Sequence, residues 1–108
     1  MSVDKVVALR EILAQSPSDA FARYGLAMEF RQRGDAEAAI EQFDALQQYH
    51  PDYTAGYHMA AQTLVAEGKT QEARERLQLG VAAARRTRNQ HALAEMEAML
   101  DEIEELSR

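Results

Sequence analysis

Residues 27–43 read AMEFRQRGDAEAAIEQF and residues 61–77 read AQTLVAEGKTQEARERL. Laid over one another, they place Ala27 on Ala61, Gly34 on Gly68 and Ala39 on Ala73, while Phe30 meets Leu64 and Phe43 meets Leu77. Working outward, Pro17 and Pro51 keep the same offset, as do Leu9 and Phe43. That offset is 34 residues throughout (61 − 27, 68 − 34, 51 − 17). A period of this length belongs to a helix-turn-helix unit that stacks on copies of itself. Such arrays offer a surface to partners and seldom carry out chemistry.

The period organises the rest of the chain. Val3, Val6, Val7, Leu9 and Leu13 mark one face of a lead-in helix that must stop before Ser16-Pro17, because the residue before proline leaves the helical region. Ser18 and Asp19 are candidate caps for a second helix carrying Phe21, Tyr24, Leu26, Ala27 and Phe30, which ends near Arg33 with Gly34 free to take positive φ. Asp35 starts a third, with Ala39, Ile40, Phe43 and Leu46 as core, and Pro51 closes it. The pattern then recurs: Asp52 as cap, Tyr57, Ala60, Ala61 and Leu64 as core, Gly68 at the turn, and Thr70 as cap of a helix through Ala73, Leu77 and Val81 to about Arg86. Arg85 stands where the proline stop would fall. A last helix from about Asn89 carries Leu93, Met96, Met99, Leu100, Ile103 and Leu106, out of register with the repeat. The small residues Ala27, Ala39, Ala61 and Ala73 are expected where two antiparallel helices approach closely, with Phe30, Phe43, Leu64 and Leu77 filling the space beside them.

At these positions the chain resembles the tetratricopeptide repeat. Ala27, Phe30, Gly34, Ala39, Phe43 and Pro51 fit the family pattern in one unit, as do Tyr57, Ala61, Leu64, Gly68, Ala73 and Leu77 in the next. Arg23 departs from it, where the family usually has an aromatic, and Leu46 and Gly80 stand where alanine is usual. The resemblance implies an all-α fold, a short right-handed α-solenoid of about six antiparallel helices in a single domain over 1–108. It divides into a lead-in helix over 3–16, repeat 1 over 20–53, repeat 2 over 54–87 and a C-terminal capping helix over 89–107. Two repeats alone rarely bury enough surface, so the flanking helices are expected to act as caps.

The resemblance also implies where a ligand sits. The first helix of each family unit lines a concave groove, and the corresponding residues are Phe21, Tyr24, Gly25, Met28, Arg31 and Gln32, then Ala55, His58, Met59, Gln62, Val65 and Ala66. This lining is largely apolar, and methionine adapts to varied surfaces, which favours an apolar or amphipathic peptide. The family's carboxylate clamp for acidic C-terminal peptides needs lysine and asparagines where Tyr24, Met28 and Met59 stand, so that ligand class is not expected.

Composition narrows the remaining classes. Of 108 residues, 46% are hydrophobic and 28% charged, which suits a folded domain rather than a disordered one. With Lys+Arg 12 against Asp+Glu 18, the net charge of -6 disfavours nucleic acid and anionic membrane surfaces. The absence of cysteine excludes disulfides and thiolate chemistry. Met1-Ser-Val-Asp-Lys leads into an amphipathic stretch, and no run approaches the ~20 apolar residues of a membrane span, so a cytoplasmic protein is expected. His50, His58 and His91 lack metal-ligand spacing, no phosphate loop or nucleophile elbow is present, and neither a cofactor nor enzymatic activity is expected.

Two further features invite alternatives. Lys69 to Arg88 holds six basic residues, whereas Asn89 to Arg108 holds six acids. An antiparallel turn around Thr87 would bring Asp101 to Glu105 level with Arg74 and Arg76 and Glu95 nearer Arg85, leaving Arg85, Arg86 and Arg88 as a possible basic spot for an acidic partner. The Leu93-Met96-Leu100-Ile103 stripe, or the groove itself, could instead pair with a second copy as a homodimer. The leading expectation remains a protein- or peptide-binding adaptor.

Overall fold

The computed structural model describes residues 4–107, so Val3 and Arg108 lie outside the described residues. Among the described residues there are six helices and no strand: α1 (Lys5–Gln15), α2 (Ala20–Gln32), α3 (Ala36–Tyr49), α4 (Thr54–Ala66), α5 (Thr70–Arg86) and α6 (Gln90–Leu106). The chain divides after His50 into two compact units.

In the first unit each helix starts on an aspartate whose side chain satisfies an amide that the helix leaves unpaired. Asp4 accepts from Val6 N–H at 2.9 Å, Asp19 from Ala22 N–H at 2.8 Å and Asp35 from Ala38 N–H at 3.1 Å. Of the two candidates before α2, Asp19 is the cap; Ser18 offers its carbonyl to His50 Nε2 instead. The α2–α3 pair holds the core. Ala22, Leu26, Ala27, Phe30, Ala39, Phe43 and Leu46 are buried, and Val6 and Leu13 of α1 join them. Ala27 and Ala39 have no accessible surface, as close helix approach requires. Phe43, 1% exposed, contributes on the order of 1.5–3 kcal/mol by leaving water. Ile40 is only half-buried, while Val7 and Phe21 point to solvent. Arg23 replaces the usual aromatic with a polar staple: it donates to Gln42 Oε1 at 3.0 Å and to the Pro17 carbonyl at 2.8 Å, and its guanidinium lies 6.0 Å from the Tyr49 ring centre.

The second unit departs from the sequence reading at its caps. Asp52 does not cap α4; Tyr53 takes the cap position, without a side-chain bond. Asp52 lies one residue too early, since Tyr53 is the repeat equivalent of Asp19, and its carboxylate is taken by Arg86 at 2.7 and 3.0 Å. Thr70 does not cap α5 either, because it is that helix's first residue. The turn puts the cap directly after the glycine, where the first unit has Asp35 and this one has Lys69, which carries no acceptor.

Three helix ends share one closure. Asp35, Lys69 and Asn89 each donate a backbone N–H to the carbonyl five residues back (Phe30, Leu64 and Ala84) at 2.9 Å. Gly34, Gly68 and Arg88 each donate to the carbonyl three residues back at 3.0–3.2 Å. This double closure needs a left-handed residue at its centre, and Gly34 (φ 82), Gly68 (φ 75) and Arg88 (φ 57) supply it. Asn89 then caps α6 through Ala92 N–H at 3.0 Å.

Tyr57, Ala60, Ala61, Leu64, Ala73, Leu77, Ala83, Ala84, Met96 and Ile103 form the second core. The Tyr57 hydroxyl donates to the Pro51 carbonyl at 2.6 Å, and burial raises its pKa above the usual tyrosine value. Gly80 sits where α5 meets both neighbours: a Cβ added there would lie 2.4 Å from Met96 Sδ and 2.7 Å from Tyr57 Cβ. Of the α6 stripe, Met96 and Ile103 are buried and Leu93, Met99 and Leu100 are half-buried, but Leu106 is 75% exposed because it lies in the helix's last turn.

Candidate functional site

The residues expected to line a groove lie on α2 and α4. On α2, Phe21 is 78% exposed, Gln32 is exposed, and Tyr24, Gly25, Met28 and Arg31 are half-buried. On α4, Ala55 and Ala66 are exposed, and His58, Met59, Gln62 and Val65 are half-buried. The helical period accounts for this split, since Leu26, Ala27 and Phe30, like Ala60, Ala61 and Leu64, occupy the inward side of the same helices.

Within the first unit, Tyr24 is divided between two tasks: its ring meets Phe43 edge-on, with centroids 6.4 Å apart and planes at 66°. Gly25, Met28 and Gln32 meet Lys5, Ala8, Leu9 and Glu29 around an open cleft of about 400 Å³ between α1 and α2. Sequence reading did not find the α1 side of this cleft. Leu9 was visible as part of the apolar face of the lead-in helix and as the repeat partner of Phe43, but periodicity does not reveal a gap. The end of the cleft is tied by Arg33, which donates to Asp4 Oδ1 at 2.8 Å and lies 3.3 Å from Glu29 Oε1. The Arg33 hydrogen bond, aided by Val6 N–H, holds the Asp4 carboxyl below its usual pKa.

In the second unit His58 and Gln62 lie side by side, Nε2 to Nε2 at 3.3 Å, one helical turn apart. The Met59 carbonyl accepts from the Thr63 hydroxyl at 2.8 Å, so buried Thr63 is satisfied within its own helix. Within the basic stretch, Arg74 and Arg86 are engaged by internal partners. Arg86 holds Asp52 and the Pro51 carbonyl, and Arg74 lies 3.2 Å from Glu104 and 3.4 Å from the Ser107 hydroxyl, so α6 acids do meet α5. Glu95 meets His91 Nε2 at 2.9 Å rather than Arg85. Among the described residues no three metal-ligating side chains converge, and no helix is long and apolar enough to cross a membrane.

Comparison with known proteins places these features in a family. A family model described as tetratricopeptide repeat matches residues 30–96. A TPR repeat-containing protein of Pseudomonas aeruginosa is 28% identical over 99 residues, covering 92% of this chain and 94% of that protein. A tetratricopeptide repeat domain protein from Salinibacter ruber, solved by NMR, superposes with a TM-score of 0.79 at 28% identity, over 84% of this chain and 92% of that one. The TPR2B domain of yeast Sti1, solved as a complex with pHsp70, superposes with a TM-score of 0.85 at 18% identity, over 94% and 81% respectively, a likeness of fold alone.

Proposed function

Because the chain belongs to the tetratricopeptide repeat family, an all-α fold of the α-solenoid class, we propose that it is a protein-interaction adaptor that takes an apolar or amphipathic peptide segment on the outward sides of α2 and α4. The observation that carries this reading is the accessible apolar set on the first helix of each repeat. Phe21, Met28, Met59 and Val65 remain at least partly open to solvent, although each unit already has a closed core beneath them. Aromatic side chains give large contact area and methionine adapts its shape to varied surfaces. Tyr24, Arg31, Gln32, His58 and Gln62 supply polar tips around them, which fits recognition of a segment with one apolar side.

The fold likeness to a domain complexed with pHsp70 does not transfer that ligand. Tyr24, Met28 and Met59 occupy the positions at which the family's carboxylate clamp carries lysine and asparagine. Self-association through the α6 stripe is disfavoured, because Met96 and Ile103 are already buried within their own unit.

The test is Met28→Glu combined with Met59→Glu. On a hydrated face the two charges leave the helical melt unchanged, while in a contact they must be desolvated without compensation. A partner isolated with the wild-type protein and then purified should lose binding to the folded double variant. Undiminished binding would refute the proposal, and a variant that fails to fold would assign both methionines to the core.

A further inference from the structure

Two of the glycines that lie within helices, Gly25 in α2 and Gly80 in α5, have opposite surroundings. At Gly80 packing demands glycine, since a Cβ would collide with Tyr57 Cβ and Met96 Sδ. At Gly25 it does not: a Cβ would lie 3.4 and 3.5 Å from the Leu9 methyls, an ordinary contact, and the backbone is not left-handed. A glycine inside a helix costs roughly 0.5–1 kcal/mol relative to alanine, and neither the packing nor the backbone at this site calls for it. What Gly25 does provide is depth, since it lines the α1–α2 cleft with Ala8, Leu9 and Met28.

The charges around the cleft are unequal. Glu29 is engaged by Arg33, and Asp4 by Arg33 and Val6 N–H. Lys5 lines the same cleft and, among the described residues, has no ion-pair or hydrogen-bond partner. Among the described residues, the cleft thus joins an apolar floor to a lysine without a charged partner.

From this we infer that the α1–α2 cleft is the anchor point of the proposed adaptor's ligand, receiving one large apolar side chain over Gly25 while a neighbouring carboxylate of the same segment pairs with Lys5. The inference rests on the peptide-binding reading and narrows it to segments in which a leucine- or phenylalanine-sized residue stands beside aspartate or glutamate. The net charge of -6 opposes strongly acidic ligands. A single carboxylate next to the anchor is the chemistry that fits.

The experiment uses the isotope-labelled full chain and three synthetic dodecapeptides, each with one central phenylalanine in a Gly/Ser background, flanked by glutamate, by serine or by lysine. The glutamate peptide should shift the amide resonances of Lys5, Leu9, Gly25 and Met28 and bind more tightly than the lysine peptide. Gly25→Leu, which fills the floor, should weaken it at least about tenfold, whereas Gly25→Ala should bind closer to wild type and melt at a higher temperature. Lys5→Glu should reverse the preference, so that the lysine peptide becomes the better ligand by about two- to fivefold. A purely structural role for Lys5 would not produce that reversal. Binding that shifts α4 resonances and ignores both substitutions would overturn the cleft assignment while leaving the adaptor reading intact. If no peptide shifts the cleft residues, the assignment also falls.

Discussion

Replacing Gly80 with alanine adds one methyl group, and the structure shows what it would meet. The new carbon would lie 2.4 Å from Met96 Sδ, 2.7 Å from Tyr57 Cβ and 3.2 Å from Tyr57 Cγ. Carbon atoms rest at about 3.5–4.0 Å, so the shortfall against Tyr57 is about 1 Å. Met96 has rotatable bonds through which its sulfur can retreat, although its surroundings are closed. Tyr57 Cβ has none and moves only with the α4 backbone, and its hydroxyl is tied to the Pro51 carbonyl at 2.6 Å. Overpacking of this kind costs about 1–3 kcal/mol, while the better helix propensity of alanine returns about 0.8–1 kcal/mol. The expected net loss is therefore about 1 kcal/mol, and up to about 2 if α4 resists. At ~4–8 °C per kcal/mol for a domain of this size, the melting temperature should fall by roughly 5–15 °C. Thermal and urea melts followed by far-ultraviolet circular dichroism measure it, with Gly25→Ala as the control that should move the other way. A Gly80→Ala protein as stable as wild type would refute the close approach of α5 to Tyr57.

Two other outcomes follow from the same packing and electrostatics. Ending the chain at Asn89 removes Met96 and Ile103, whose burial is worth on the order of 3–6 kcal/mol together; the truncated chain should lose its cooperative melt or melt far lower, and an unchanged melt would show that α6 is dispensable. The Asp4 carboxyl has a folded pKa below its unfolded one, so its contribution is present above the ordinary carboxylate range and is lost as pH falls through the folded value. Asp4→Asn should therefore flatten the acid limb of the stability profile and leave the alkaline side alone, which melts across a pH series will show.

The helix order and most of the core were legible because the repeat aligns residues that do the same physical work. Ala27 with Ala61 and Phe43 with Leu77 are buried as pairs. The caps of the second unit were not legible, since Asp52 and Thr70 are good capping residues one place away from the position that caps, and only the turn geometry decides between neighbours. Arg88 gave no sign of its positive φ, which composition assigns to glycine or asparagine. Ala83 and Ala84 are buried, whereas their repeat equivalents, Tyr49 and His50, are exposed and half-buried, so the repeat gave no sign of them. At the candidate site, the periodicity separated the outward sides of α2 and α4 from the core. It could not show that Tyr24 also packs on Phe43, or that Gly25 opens a cleft, because both depend on distances between helices.

The closure shared by α2, α4 and α5 bears on how this chain can be lengthened. α1 and α3 end differently, at Ser16 and His50 with φ of -137, each followed by proline. A concatemer built by inserting another copy of residues 20–53 has a native seam at such a proline linker, where one repeat hands over to the next. It has none at Arg88, whose tight reversal is of the kind that otherwise joins the two helices inside a repeat. Cutting there and grafting on a new first helix would splice an internal joint into an external position. A designer extending the array should therefore open the chain beside Pro51 and leave α5, its turn and α6 together as one terminal cassette.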